Sequence, residues 1–417
     1  MAKNMSVPEL IRFSRYEGHP VLWHMMLIPL VKLGLPVFSM NVLSFLIVSA
    51  SAFLFLFKGK NNLVIKCIVL FTVPFVYIFS SISRNYCLIL PAVVLIGILY
   101  EKRREKPFLY SLPIVLLVFS HALSWGMVAG LTVTFYVVEI VRFIAKKSEL
   151  SKKKFIGLLA GFLLIAASSL FVVLTMSGER NSGYSVYPNA EAEYTLFLLS
   201  GLILLVFADG MLFRKKYIKE ALIIGGTFLF QIIVYTQVYS SVGLQRFSLI
   251  PAFLLFYLMV AGKEEEKRNA YIPALLLLLP LLFFGKDYLK TVVKDVRGNY
   301  SSAQEMAWYI NANLGGEDII LVDAGIFEQT IVPYVEPKLY DIVYEADIED
   351  SLYHVLEINA SLDALKDIPN HEEYRGKYLI VYAGFEIEEL KNGDFEEVFR
   401  TGKSLKGEDY ILYYVKK

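Results

Sequence analysis

The sequence predicts a polytopic α-helical membrane protein, about ten transmembrane helices followed by a small C-terminal extracytoplasmic α/β domain. Three observations carry that expectation. Of the 417 residues 56% are hydrophobic and the mean hydropathy is +0.52, above what a soluble domain with a polar coat shows. Apolar runs approaching the roughly 20 residues that cross a hydrocarbon core recur between short basic connections. The charge also changes sign along the chain: 27 Lys/Arg stand against 14 Asp/Glu up to Gly285 and 14 against 26 beyond it, so a basic part at +13 carries an acidic tail at −12 behind a net charge of +1.

Taken in order, residues 1–36 form an outer loop and an interfacial helix. "VPELIRFSRYEGHP" is too polar to span, and "VLWHMMLIPLVKLGL" is interrupted by His24, Pro29 and Lys32. That pattern fits a helix lying in the interface with Trp23 at headgroup level. Residues 37–285 are the transmembrane domain, with candidate spans at 37–57, 64–82, 86–100, 108–121, 122–141, 155–176, 195–213, 221–240, 247–261 and 271–284. Their orientation follows from the positive charges, because short cytoplasmic loops are rich in Lys and Arg. "KGKNN", "EKRREK", "RFIAKKSELSKKK", "RKKYIK" and "KEEEKR" fall on alternate connections, which are therefore cytoplasmic. "SISRNY", the junction at His121, "SGERNSGYSVYPNAEAEY" and "SVGLQRF" then face outward with both chain ends.

Residues 286–417 have the composition of a water-exposed domain. "SSAQEMAWYINANL" has helical spacing with Ser301 or Ser302 as N-cap, and Gly315-Gly316 follows its end. "DIILVDAG" and "KYLIVYAG" are short apolar runs that stop at Gly, as buried strands do, and "EDYILYYVKK" reads as a further strand. Cys67 and Cys87 sit inside apolar runs, which argues against a disulfide framework, a thiolate metal site or redox chemistry.

Ionisable groups near membrane depth are expensive and usually have a job. Here they gather on the outward connections: Glu17, His19 and His24; Arg84, Asn85 and Tyr86; His121; Glu179, Arg180, Tyr184 and Tyr187; Gln245 and Arg246. For any one of them an interfacial anchor is the commoner role. Arg84 and Arg246 stand apart, since an outward Arg opposes the positive-inside bias and its fork suits phosphate. His121 falls between two apolar runs with almost no loop to solvate it, which fits a structural histidine as well as a ligand. The metal signal is weak: His19 and His24, five apart, do not share a helix face as the pair in HExxH does. No Ser/His/Asp elbow and no Gly-rich phosphate loop is present, and the basic connections need no nucleic acid to explain them. The sequons at Asn4, Asn299 and Asn359 decide nothing.

"EGHPVLWHMMLIPLVKLGLP", "FTVPFVYIFSSISRNYCLILPAVVLIGILYEKRREK" and "LLVFSHALSWGMVAGL" together resemble the GT-C superfamily of membrane glycosyltransferases. Within it the chain most resembles the branch that contains protein O-mannosyltransferases and lipid A aminoarabinose transferases. The similar features are the His-Pro start of an interfacial helix, the Arg-x-Tyr at the outer end of a helix pair, and a lone His between the next two helices. The resemblance covers most of the chain and implies transfer of a sugar from a polyprenyl-phosphate carrier to a lipid, glycan or protein acceptor outside the cytoplasm.

It implies that His19, Arg84, Tyr86, His121 and Arg246 face the donor and its phosphate, and that Glu17 lies by the sugar or acceptor as the catalytic carboxylate. Glu179, Arg180, Tyr184 and Tyr187 remain as acceptor-loop candidates. The implied partners are the lipid-linked donor and membrane lipids, with no nucleic acid. The resemblance fixes no cofactor with certainty, and a divalent metal is left open. One departure matters. The family carries an outer-loop Asp after a first membrane helix, upstream of the His-Pro segment, whereas the first aspartate here is Asp209. Either Glu17 substitutes, or the native chain starts about 30 to 60 residues earlier, the length of a spanning helix plus a loop. The alternatives to an enzyme are a lipid-linked sugar transporter and an inactive scaffold of the same fold.

Overall fold

In the computed structural model, many large apolar side chains lie exposed on the helices and at their ends, Phe38, Phe71, Leu204 and Leu212 among them, and the buried positions combine apolar side chains with polar ones such as Ser44, Glu139 and Gln231. The structure describes residues 6–11, 20–72, 74–81, 85–176, 190–213, 215–237, 249–262, 279–280, 301–315, 320–322, 331, 334–335, 372, 375–383, 390, 393–404 and 409–417. It divides into two compact units, residues 1–288 and 289–417.

Helices dominate the first unit. α1 is Leu22–Lys32 and α2 is Ser39–Lys58, whose buried stripe of Ser44, Val48, Ser51 and Phe55 follows helical spacing while Phe45, Leu46, Phe53 and Phe57 are exposed. Lys66, near the start of α3 (Leu63–Leu70), reaches back to the carbonyls of Leu56 and Gly59 at 2.6 and 3.1 Å and so satisfies the end of α2. α4 spans Asn85–Lys102, α5 Pro107–Val118, α6 Ala122–Ile144 and α7 Lys152–Met176. α7 repeats the pattern of α2: Leu158, Gly161, Ile165, Ser168 and Val172 are buried while Ile156, Leu163, Leu170 and Leu174 are exposed. Gly161 lets α7 approach α5, since a Cβ there would stand 3.1 Å from that of Ser111. α8 is Ala190–Ala208, α9 Ile218–Gln237 and α10 Ile250–Ala261. Every residue of α10 is buried, and it meets α4 where Gly97 lies against Met259. These two helices form the centre of the bundle.

Among the described residues four helices are long and apolar enough to cross a membrane: α2, α4, α6 and α7. They fall on the expected spans 37–57, 86–100, 122–141 and 155–176. The continuous helices α8 and α9 lie over the expected spans 195–213 and 221–240, whereas other apolar runs are divided or shorter. Residues 63–81 divide into α3, a π-helical turn at Pro74–Ile78 and one further turn, and α5 and α10 have 12 residues each. Of the span expected at 271–284, only 279–280 lie among the described residues.

The second unit places α11 (Ala303–Asn313) on a four-stranded sheet of β1 (Ile320–Val322), β2 (Tyr378–Tyr382), β3 (Phe395–Arg400) and β4 (Tyr410–Val415), in the order β1-β2-β4-β3. β1 and β2 are parallel and the other pairs antiparallel. Alternation sorts the sheet into two apolar faces. Ile380, Tyr410 and Leu412 pack with Met306, Ala307 and Ile310 of α11, and Leu379, Val381, Ile411 and Tyr413 form the other face with Leu390 and Phe395. β1, β2 and β4 occupy the three segments expected as strands, and β3, "FEEVFR", is an addition. The N-cap position of α11 is Ser302, but its hydroxyl donates to the carbonyl of Gly402 at 2.8 Å, and it is Ser301 that accepts from the N–H of Ala303 at 3.2 Å.

Candidate functional site

Of the ten residues singled out as a site, the described residues include Tyr86 and His121. Glu17, His19, Arg84, Glu179, Arg180, Tyr184, Tyr187 and Arg246 lie outside them. Tyr86 and His121 do come together, 35 residues apart in sequence, with ring centroids 5.4 Å apart and both side chains buried.

The local sequence explains the meeting. α5 ends at Val118 and α6 begins at Ala122, so its last carbonyls have no following helical turn to satisfy them. Side chains supplement the backbone bonds there, among them that from the Ser120 N–H to the Leu117 carbonyl at 3.2 Å. Ser120 Oγ donates to the Leu116 carbonyl at 2.7 Å, Ser124 Oγ to that of Leu117 at 2.8 Å, and Trp125 Nε1 to that of Val118 at 3.4 Å. Asn85, in the turn that opens α4, donates to the Ser120 carbonyl at 2.9 Å and ties the two helix pairs together.

His121 has extended backbone at the N-cap of α6, and its Nδ1 accepts the N–H of Leu123 at 3.1 Å. One half of the ring is therefore structural, and a ligand can use only Nε2. Gln231 of α9 enters the same junction, where its Nε2 donates to the Leu123 carbonyl at 3.3 Å. The close seam that permits this is at Gly126, where a Cβ would stand 2.9 Å from Thr227 Cα and from Phe230 Cβ. The sequence marks Gln231 as a polar residue in an apolar helix. It does not mark its partner, since the bond ends on a backbone carbonyl that any residue supplies.

A second set of buried polar groups lies at the opposite, Lys/Arg-rich end of the helices. Glu139 is buried between Arg104 at 2.5 Å and Arg142 at 3.4 Å. Tyr100 donates to Glu220, and Tyr257 donates to Asp209 at 2.7 Å. Arg103 lies 3.8 Å over the Tyr100 ring. Glu220 Oε2 and Tyr110 Oη are buried with no hydrogen-bond partner. An apolar cavity of about 80 Å³, lined by Val48, Ser51, Phe55, Leu90, Val94 and Leu255 among others, lies between α2, α4 and α10 and includes neither Tyr86 nor His121. Among the described residues no three His, Cys, Asp or Glu converge as metal ligands.

Comparison with protein families, curated proteins and solved structures finds no match to this chain.

Proposed function

We propose that the chain is a multi-pass membrane glycosyltransferase that moves a sugar from a polyprenyl-phosphate carrier to a cell-envelope lipid, glycan or protein acceptor on the extracytoplasmic side. The observation that supports this reading best is the buried Tyr86 and His121 pair at the helix ends away from the Lys/Arg-rich connections. It is where a phosphate at the membrane surface would meet hydrogen-bond donors. In this reading Glu17 removes the acceptor hydroxyl proton as that oxygen attacks the anomeric carbon. The bond from the anomeric carbon to the phosphate oxygen breaks, and its electron pair leaves on the phosphate. His19, Arg84, His121 through Nε2, and Arg246 then stabilise the charge that develops there. Tyr86 holds the ring of His121 in place.

The test is sugar transfer in membranes containing the chain, from radiolabelled polyprenyl-phosphate sugars to extractable envelope material. His121→Ala is expected to lower transfer about 100-fold, the scale of losing one donor to a developing oxyanion, and Glu17→Gln to abolish it. Wild-type membranes that transfer no label to any acceptor would overturn the reading. A second reading, transport of a lipid-linked sugar, is favoured by Asp209 and Glu220, carboxylates buried among the helices. Carrier appearing on the opposite leaflet of vesicles without transfer of its sugar would select that alternative.

A further inference from the structure

Gln231 is fully buried, and its Oε1 meets no hydrogen-bond partner while its Nε2 is used. A leucine or methionine would fill the place without orphaning an acceptor, so packing alone does not account for an amide here. What the amide reaches is the residue that sets His121. Leu123 is pinned on both sides of its Cα: its carbonyl accepts from Gln231, and its N–H points at His121 Nδ1. An N–H aimed at Nδ1 needs a lone pair there, so the neutral ring carries its proton on Nε2.

We propose that Gln231 is a positioning residue: by anchoring Leu123 it locks His121 in the Nε2-protonated tautomer, so that the neutral ring offers a donor to a ligand phosphate oxygen. The opposite tautomer would turn a lone pair toward that oxygen and repel it. The α6–α9 seam at Gly126 supports the assignment, because the close approach of Thr227 and Phe230 fixes how deep Gln231 reaches into the junction. The ligand part of this inference rests on the reading of His121 as a phosphate contact, and the tautomer part does not.

The experiment is nitrogen NMR of the full chain, labelled on its histidines and held in lipid at pH 8. The chain has five histidines, and His121→Gln identifies the signal by its loss. Wild-type His121 is expected to show a protonated Nε2 and a bare Nδ1. In Gln231→Met, which keeps the length and removes the donor, at least a third of the signal should shift to the Nδ1-protonated form. Thr227→Val, one turn earlier on the same helix face, should leave it unchanged. A wild-type ring protonated on Nδ1 overturns the proposal even where the variant does not accumulate. So does a folded Gln231→Met with the wild-type signal, or a Thr227→Val that shifts as far as Gln231→Met. Transfer assayed on the same samples separates the two claims: a locked tautomer in a wild-type protein without transferase activity keeps the positioning role and removes the glycosyltransferase reading.

Discussion

The two ends of the helix bundle bury polar groups with different sets of partners, and charged side-chain pairs mark one of them. At the His121 end the partners are neutral and half of each bond is backbone: Asn85 to Ser120, Ser124 to Leu117, Leu123 to His121, Gln231 to Leu123. At the Lys/Arg-rich end, beside backbone bonds such as Lys66 to Leu56 and Asn61 to Leu258, charged side chains also meet other side chains, Arg104 and Arg142 on Glu139, Tyr100 on Glu220, Tyr257 on Asp209 and Lys60 on Glu101. Backbone partners fix position in all directions at once, because the chain itself holds them. Side-chain pairs hold two helices together yet leave each partner its own rotamers. The first arrangement suits a place where a ring must be aimed, and the second suits an anchor.

The sharpest way to break this contrast is at the seam that holds the His121 end together. Gly126→Val would drive carbon into the backbone of α9 at Thr227, and overpacking of that kind against atoms that cannot yield costs about 3 kcal/mol. Thermal unfolding in detergent should show that loss, with hydrogen exchange rising first at residues 119–125. Equal exchange at both ends would mean that the two arrangements are not separable.

A gentler comparison removes one bond from each end. Asn85→Ala leaves the Ser120 carbonyl buried without its donor, a loss of about 1 to 3 kcal/mol that salt should not alter, since both groups are neutral. Arg104→Ala should lose about 1 kcal/mol or less, because the arginine is half-exposed and Glu139 keeps Arg142 and Ser148, and the loss should shrink in salt. Denaturation at low and high ionic strength measures both, and a salt-dependent Asn85→Ala would blur the distinction.

The smallest effect provides a floor from the second unit. Arg400 holds the Glu397 carboxyl below the usual glutamate range by hydrogen bonding. A lowered folded-state value means that the pair contributes above the ordinary glutamate value of about 4.3 and that the contribution is lost as pH falls below it. Arg400→Ala should therefore cost about 0.5 kcal/mol at neutral pH and nothing in acid, as expected of an exposed pair. A loss that persists below pH 3 would assign Arg400 a role other than this pair.

Helices were legible where the apolar run was long and unbroken, as in α2, α4, α6 and α7. The sequence pattern did not show where the backbone changes winding inside an apolar run, as at Pro74–Ile78 and at Thr132–Val137 within α6, because composition carries no record of hydrogen-bond register. In the second unit β1, β2 and β4 were legible from apolar runs ending at Gly or charge, but β3 was not, since its Glu396, Glu397 and Arg400 read as loop. An outer strand exposed on one side tolerates such charges. At the site, Tyr86 and His121 were expected from family resemblance as separate donor-side candidates. The capping role of Nδ1 and the reach of Gln231 were not, because both end on peptide groups that no residue type announces.

The strand order β1-β2-β4-β3 has a consequence for biogenesis. β4 lies in the interior of the sheet, between β2 and β3, although it is the last of the four strands to be synthesised. Until residues 410–415 emerge from the ribosome, β2 and β3 have no ladder to share, and the apolar faces of Leu379 and Val381 lack half of their cover. Nascent chains would therefore present unpaired strand edges from the synthesis of β1 at residue 320 until that of β4 at residue 415. A holding chaperone has its longest window there, and a late frameshift would leave a product with an intact helical unit and a sheet that cannot close.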